Sequence, residues 1–181
     1  LTIQREKTKR AIEVAFLSLL CDTPIEKITV REIANKAQIS RNTFYTHFTS
    51  VYDLKDRVMD GIKSSIAMRM EHDSDVTQLG LKTSLTAMIT YLYENQELLR
   101  LFFQTQEGNF QLLSVIQSGI TLWRLRAHIS QSDTAANVQI IMSVHGMAGI
   151  LYHWLYGQIR LDQDQLLTAL LSAVRFHPDQ P

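Results

Sequence analysis

Cysteine occurs once in the 181 residues, at Cys21. A single thiol excludes an internal disulfide and a thiolate cage for a metal, and it suits a reducing compartment, so a cytoplasmic protein is expected. Proline is nearly as scarce, at three positions, and glycine occurs seven times. With so few breakers and no sustained alternation of apolar and polar residues, strands have little support. The formal net charge is zero, so overall charge gives no guide to partners. No apolar run approaches the roughly 18 residues of a membrane span, and the polar, charged N-terminus is unlike a secretory leader. No membrane partner is expected. The chain opens on Leu1 and not on methionine, which leaves open whether residues upstream, a basic arm among them, are missing. There is no Gly-rich phosphate loop, no Gly-x-Ser-x-Gly elbow and no paired-carboxylate site, which leaves an enzyme without a positive sign and calls for no cofactor.

What the chain does have is helical periodicity and an uneven spread of charge. Its length allows one small domain beside one of ordinary size. Up to Lys63, eleven Lys and Arg stand against eight Asp and Glu, an excess of three that the remainder reverses. A basic head on a body that need not touch nucleic acid fits that division. An all-α fold of about nine helices is expected. The first runs from Gln4 to Leu20, with Ala11, Ile12, Ala15, Phe16 and Leu19 on one face, and Asp22-Thr23-Pro24 stops it. Ser50, with Asp53 three residues on, opens a long helix over about 51–71 whose Leu54, Val58, Ile62, Ile66 and Met70 recur every four residues. Further helices are read at 76–93 and 95–105, then in a segment that begins after Glu107-Gly108-Asn109 and ends near Ile129, and at 134–156. The last begins after Asp162.

Between the first and fourth helices, the stretch from Thr29 to Phe48 carries the most information. Thr29 and Glu32 make a capping box, and Val30, Ile33, Ala34 and Ala37 follow at the spacing of one buried face. Ile39 is the apolar residue of a tight turn, Ser40 caps the next helix, and Phe44 and Phe48, four apart, face the core. That leaves Arg41, Asn42, Thr43, Tyr45 and His47 outside. Two short helices joined in this way make a helix-turn-helix.

The pair Ile33-Ala34, the small residue Ala37 and the run Thr43-Phe44-Tyr45-Thr46-His47-Phe48 resemble the DNA-binding region of the TetR family of bacterial transcriptional regulators, from about Thr8 to Leu54. One departure concerns Val51, where the family often has a phosphate-binding lysine; Lys55, one turn later, is a candidate replacement. Short polar groups at the start of the second helix lie deepest in a major groove, so Asn42 and Thr43 are read as base contacts, and Arg41 reaches guanine or phosphate. The resemblance implies that Arg31 also touches a base, and that Thr29, Tyr45 and His47 hold phosphates, which fix register without reading sequence. Ser40 and Lys55 complete the expected site. Residues 1–50 are the expected DNA-binding domain and 51–181 a ligand-binding and dimerisation domain joined to it by the long helix.

From Thr134 to Tyr156 the pattern is apolar nearly all round, so that helix needs cover on several sides. With the segment after Gly157 it reads as half of a four-helix dimer interface, formed by Val138, Met142, Leu151 and Leu155 together with Leu166, Leu170 and Val174. The family resemblance implies the same homodimer. His145 and His153 are eight apart, about 12 Å along a helix, too far to share one metal. They are read instead, with Phe102, Phe103, Phe110, Trp123, Gly149 and Tyr152, as lining for a mostly apolar pocket with polar handles. Plain core packing is the alternative for each of these residues. The chain is therefore expected to be a dimeric repressor that binds palindromic operator DNA and is released by a small-molecule effector. The competing expectation is a coactivator or ligand carrier whose head no longer binds DNA.

Overall fold

The computed structural model describes residues 2–71 and 78–173. Among them are nine α-helices and one short 3₁₀ turn, and no strand. The helices are α1 (Thr2–Leu20), α2 (Val30–Lys36), α3 (Arg41–Tyr45), α4 (Val51–Glu71), α5 (Gln78–Glu94), α6 (Gln96–Gln104), α7 (Gln106–Arg126), α8 (Thr134–Leu155) and α9 (Gln163–Ala173). Met70 lies in α4 with an undescribed side chain, and Val76 and Val174, expected in the fifth and last helices, lie outside the described residues.

Contacts divide the chain into two compact units, and the division falls inside α4. One unit holds the described residues up to Ser65 together with Glu97–Gln111. Its core is the expected face of α1, with Ile12, Ala15 and Phe16 buried and Leu17 added, against Ile33 and Ala34 of α2, Phe44 and Phe48. Leu54, Val58 and Ile62 of α4 are buried at the expected four-residue spacing, with Met59 beside them. Leu98, Leu99, Phe102 and Phe103 are the buried residues of α6.

The turn from α6 to α7 departs from the expected break at Glu107-Gly108-Asn109, since all three residues lie in the first turn of α7. The turn is made one step earlier by Thr105, which is buried. Its hydroxyl donates to the Phe102 carbonyl at 2.7 Å and accepts from the Gly108 N–H at 3.0 Å. Gly108 is there because α6 comes too close for anything larger: a Cβ on it would stand 1.8 Å from the Phe102 oxygen. A glycine that reads as a helix breaker in sequence is here a point of close approach.

The other unit holds Ile66–Gln96 and the described residues from Leu112 onward. α9 packs against both α5 and α8. Asp162 caps α9 as expected, accepting from the Gln165 N–H at 2.8 Å while the Gln165 side chain accepts from Asp162 N–H at 3.1 Å. Ile120 of α7 meets Ile140 and Val144 of α8, with Trp123 and Met147 packed around them. The α8–α9 turn is held by the Trp154 indole, which donates to the Leu161 carbonyl at 2.8 Å.

α8 corrects one expectation. Its 22 residues are long and apolar enough, by length and composition, to cross a membrane, although polar residues such as Asn137 and Gln139 interrupt every contiguous run. Little of it is covered. Ile140, Val144, Trp154 and Leu155 are buried, while Val138, Ile141 and Met142 are 49%, 40% and 70% exposed.

Candidate nucleic-acid interface

The head's outer surface is built on two side-chain caps. The Thr29 hydroxyl accepts from the Glu32 N–H at 3.2 Å, and the Glu32 carboxylate accepts from the Thr29 N–H at 2.9 Å and from its hydroxyl at 2.7 Å. Those bonds hold the Glu32 carboxyl below its ordinary range. Caps of this kind contribute about 1 kcal/mol each. They matter here because α2 has only seven residues and α3 five, too short to persist by propensity. Ser40 caps α3, accepting from the Thr43 N–H at 3.0 Å, and its hydroxyl lies 2.8 Å from the Thr43 hydroxyl. Between the helices Gln38 takes a left-handed φ of 55°, so that the Ile39 N–H donates back to Ala34 at 2.9 Å. The non-glycine residue costs roughly 1 kcal/mol there.

Two buried aromatic rings set the direction of everything outside. Phe44 is fully buried and Phe48 nearly so, as their spacing requires, although α3 ends at Tyr45 and Phe48 lies beyond it. With that side sunk in the core, Arg41, Asn42 and Tyr45 are exposed. Thr29, Arg31, Arg41 and Tyr45, with Val30 and Glu32 between them, line a depression of about 430 Å³. Four of the sequence-derived residues, drawn from both helices, are thus brought to one open surface. Thr43 is half-buried beside them through its pairing with Ser40.

His47 stands apart from this group. It is half-buried, and desolvation followed by the positive charge of Arg5 and Lys9 holds its imidazole below the ordinary 6.5, against an opposing effect of Glu6. Arg5 and Lys9 were not among the expected site residues. Their four-residue spacing signals a shared face of α1, but only the fold brings that face near His47.

Lys55 is placed otherwise than expected. Its ammonium lies 3.2 Å from the Glu107 carboxylate of α7, which also meets Lys63 at 3.9 Å. Val51, at the departure from the family pattern, is buried. At the start of α4 the capping is complete: Ser50 Oγ accepts from the Asp53 N–H at 3.1 Å, and Asp53 accepts from the Thr49 N–H and from Arg57, both at 2.8 Å.

The residues expected to line a ligand pocket are not brought together. Phe102 and Phe103 are core of the first unit, and Trp123 packs on the Ile120 cluster of the second. Phe110, His145, Tyr152 and His153 are exposed, and a Cβ on Gly149 would meet nothing within 4 Å. Among the expected interface residues, Leu155, Leu166 and Leu170 are closed off inside the chain, at 2%, 0% and 0% exposure, because α9 packs inward on α5 and α8. They have no surface left to offer a partner. Val138 and Met142 do, and Leu151 is half-buried.

Comparison with known proteins agrees with this geometry. Residues 17–58 match the profile of the family described as bacterial regulatory proteins, tetR family, a segment that contains the whole helix-turn-helix. Among solved structures, a tetR-family transcriptional regulator from Streptomyces coelicolor superposes with a TM-score of 0.62 at 18% identity, covering 92% of this chain and 77% of the other. A TetR transcriptional regulator from Streptococcus agalactiae gives 0.53 at 23% identity over 96% of both chains. NalD of Pseudomonas aeruginosa, the secondary repressor of the MexAB-OprM multidrug efflux pump, gives 0.53 at 16% identity, covering 93% of this chain and 95% of its own. At such identities these likenesses speak for the fold.

Proposed function

The chain belongs to the TetR family of bacterial regulatory proteins, DNA-binding regulators of transcription, and on that footing we propose that it is a homodimeric repressor. In this reading it acts from the cytoplasm by binding alone, without catalysis. The observation that carries it is the open depression to which Thr29, Arg31, Arg41 and Tyr45 all contribute, backed by the fully buried Phe44. Arg41, Asn42 and Thr43 read base edges, Arg31 adds a base contact from α2, and Ser40, Thr29, Tyr45 and His47 meet phosphates.

Dimerisation rests on the uncovered apolar part of α8, where Val138, Ile141 and Met142 stand exposed on a helix with no Asp, Glu, Lys or Arg. Two heads fit a palindromic operator when their recognition helices stand about 34 Å apart, one turn of DNA. An effector that favours a body with another spacing must then lower operator affinity. Repression is supported by analogy with NalD, a repressor of the same fold. The effector is proposed to be a small apolar or aromatic molecule bound in the body.

A mobility-shift assay against DNA upstream of the protein's own gene tests the reading. Binding as a dimer to a site with two-fold symmetry is expected, and release by one of a panel of apolar compounds would identify the effector class. Failure to bind any upstream DNA above the level of random sequence would favour a coactivator or carrier instead.

A further inference from the structure

Glu107 sits in the first turn of α7, and its carboxylate is shared by two lysines of α4. Lys55 and Lys63 are eight residues apart, about 12 Å along the helix. Both ammonium groups nevertheless converge on one carboxylate, at 3.2 and 3.9 Å. The carboxylate therefore lies between Lys55 and Lys63 along the axis. Helical side chains ordinarily lean towards the N-terminus of their helix. In α4 that end is the one tied by Thr49, Ser50 and Asp53 to the loop leaving the recognition helix. Glu107 thus pairs with the first cation after the end of α4 that adjoins the proposed DNA surface, and offsets its charge.

We propose that Glu107 is an inhibitory positioning residue for DNA binding, which withholds Lys55 from the phosphate backbone and so lowers the head's affinity for DNA. The position of Val51 sharpens the point. With no cation on the first turn of α4, Lys55 is the first one available there, and the structure gives it to Glu107. A flexible four-carbon stem lets the ammonium swing once the carboxylate is removed. Glu107 lies on the α6–α7 segment, Glu97–Gln111, which belongs to the same compact unit as the head. Any change in the pose of that segment therefore changes how firmly Lys55 is held. The inference rests on the DNA-binding surface proposed above.

The test is fluorescence anisotropy with the full-length protein and a labelled duplex of arbitrary sequence, because phosphate contacts are independent of sequence. Glu107→Gln is expected to tighten binding several-fold. The slope of log affinity against log salt should steepen by about 0.9 for each head engaged, one added phosphate contact. Lys55→Gln alone should leave affinity within about two-fold of the parent, since that charge is already withheld, and should abolish the gain when added to Glu107→Gln. Glu97→Gln, which removes an exposed carboxylate from the same unit, should leave the salt slope unchanged.

Unchanged or weaker binding by Glu107→Gln at an unaltered salt slope would overturn the proposal, as would an equal gain from Glu97→Gln or a gain that survives the loss of Lys55. If Glu107→Gln melts at too low a temperature to assay, Lys55→Gln alone decides: a large loss of affinity means that Lys55 already touches DNA. Arg41→Ala separates the two readings. If it binds as the parent does, the surface itself is misplaced and Glu107 falls with it; if it loses binding while Glu107→Gln changes nothing, only the inhibitory role fails.

Discussion

The Gly108 N–H donates to the Thr105 hydroxyl at 3.0 Å, and the same hydroxyl donates to the Phe102 carbonyl at 2.7 Å, so one buried side chain closes the end of α6 and the start of α7. The two helices approach there without room for a side chain. Gly108→Ala places a methyl group 1.8 Å from the Phe102 oxygen, a clash with backbone that no rotamer relieves. A loss on the order of 2 to 3 kcal/mol is expected, at the upper end of what overpacking costs. Urea unfolding measures it; a change below half a kcal/mol would mean that α6 and α7 do not meet as described. Thr105→Val, which keeps the shape and removes both bonds, should cost at least 1 kcal/mol by leaving the Gly108 N–H unpaired.

On the recognition helix, base contacts and phosphate contacts should separate by specificity. Asn42→Ala and Thr43→Ala are expected to relax base preference, at about 1 to 3 kcal/mol each for the matching base pair. Tyr45→Phe should weaken operator and random DNA alike. Competition with random duplex in the same titration distinguishes the cases, and equal losses on both DNAs for all three variants would remove the base-reading assignment.

The two faces of the C-terminal helices predict different fates for one kind of substitution. Met142 is 70% exposed and Leu170 fully buried. Met142→Asp should therefore fold and sediment as a monomer with weakened operator binding. Leu170→Asp should not fold, since it places an unpaired charge in the core, a cost of several kcal/mol. A Met142→Asp protein that remained dimeric would locate the interface elsewhere.

His47 gives the pH dependence a sign. Its imidazole is held below 6.5 by desolvation and by Arg5 and Lys9, so the folded chain takes up this proton later than the unfolded chain as pH falls. Stability from this group is unaffected above pH 6.5 and declines below it, where the unfolded state binds the proton first. A phosphate beside the ring acts in the opposite sense, since it favours the charged imidazolium. DNA binding should accordingly tighten as pH is lowered from 8 towards 6, by up to tenfold for each unit by which the phosphate raises the value. Affinities of the parent and His47→Gln across that range check it; a parent profile as flat as the variant's would place His47 away from phosphate.

The head was almost wholly legible in the sequence because its signals are local. The Thr29–Glu32 box, the Ser40 cap and the Phe44–Phe48 spacing each involve residues three or four apart, where helical geometry alone decides who meets whom. The same holds for the α4 stripe and for the caps at Ser50 and Asp162. Those short-range rules were enough for the helix-turn-helix, for the resemblance carried by residues Thr43 to Phe48 and for most of the helices, though not for the start of α7, where Gly108 reads as a breaker.

Only the tertiary structure decided what covers each apolar face. Leu155, Leu166 and Leu170 have the periodicity of an interface and lie in the chain's own core, while Val138 and Met142, of the same pattern, remain outside. Phe102 and Phe103 have the chemistry of a pocket and fill a core, and Lys55, placed like a phosphate ligand, is held by a carboxylate 52 positions further along the chain. Periodicity states that a face is apolar and charge states that a group wants a partner. Neither names the partner, because that choice is made by contacts between residues far apart in sequence, and these exist only once the helices have packed.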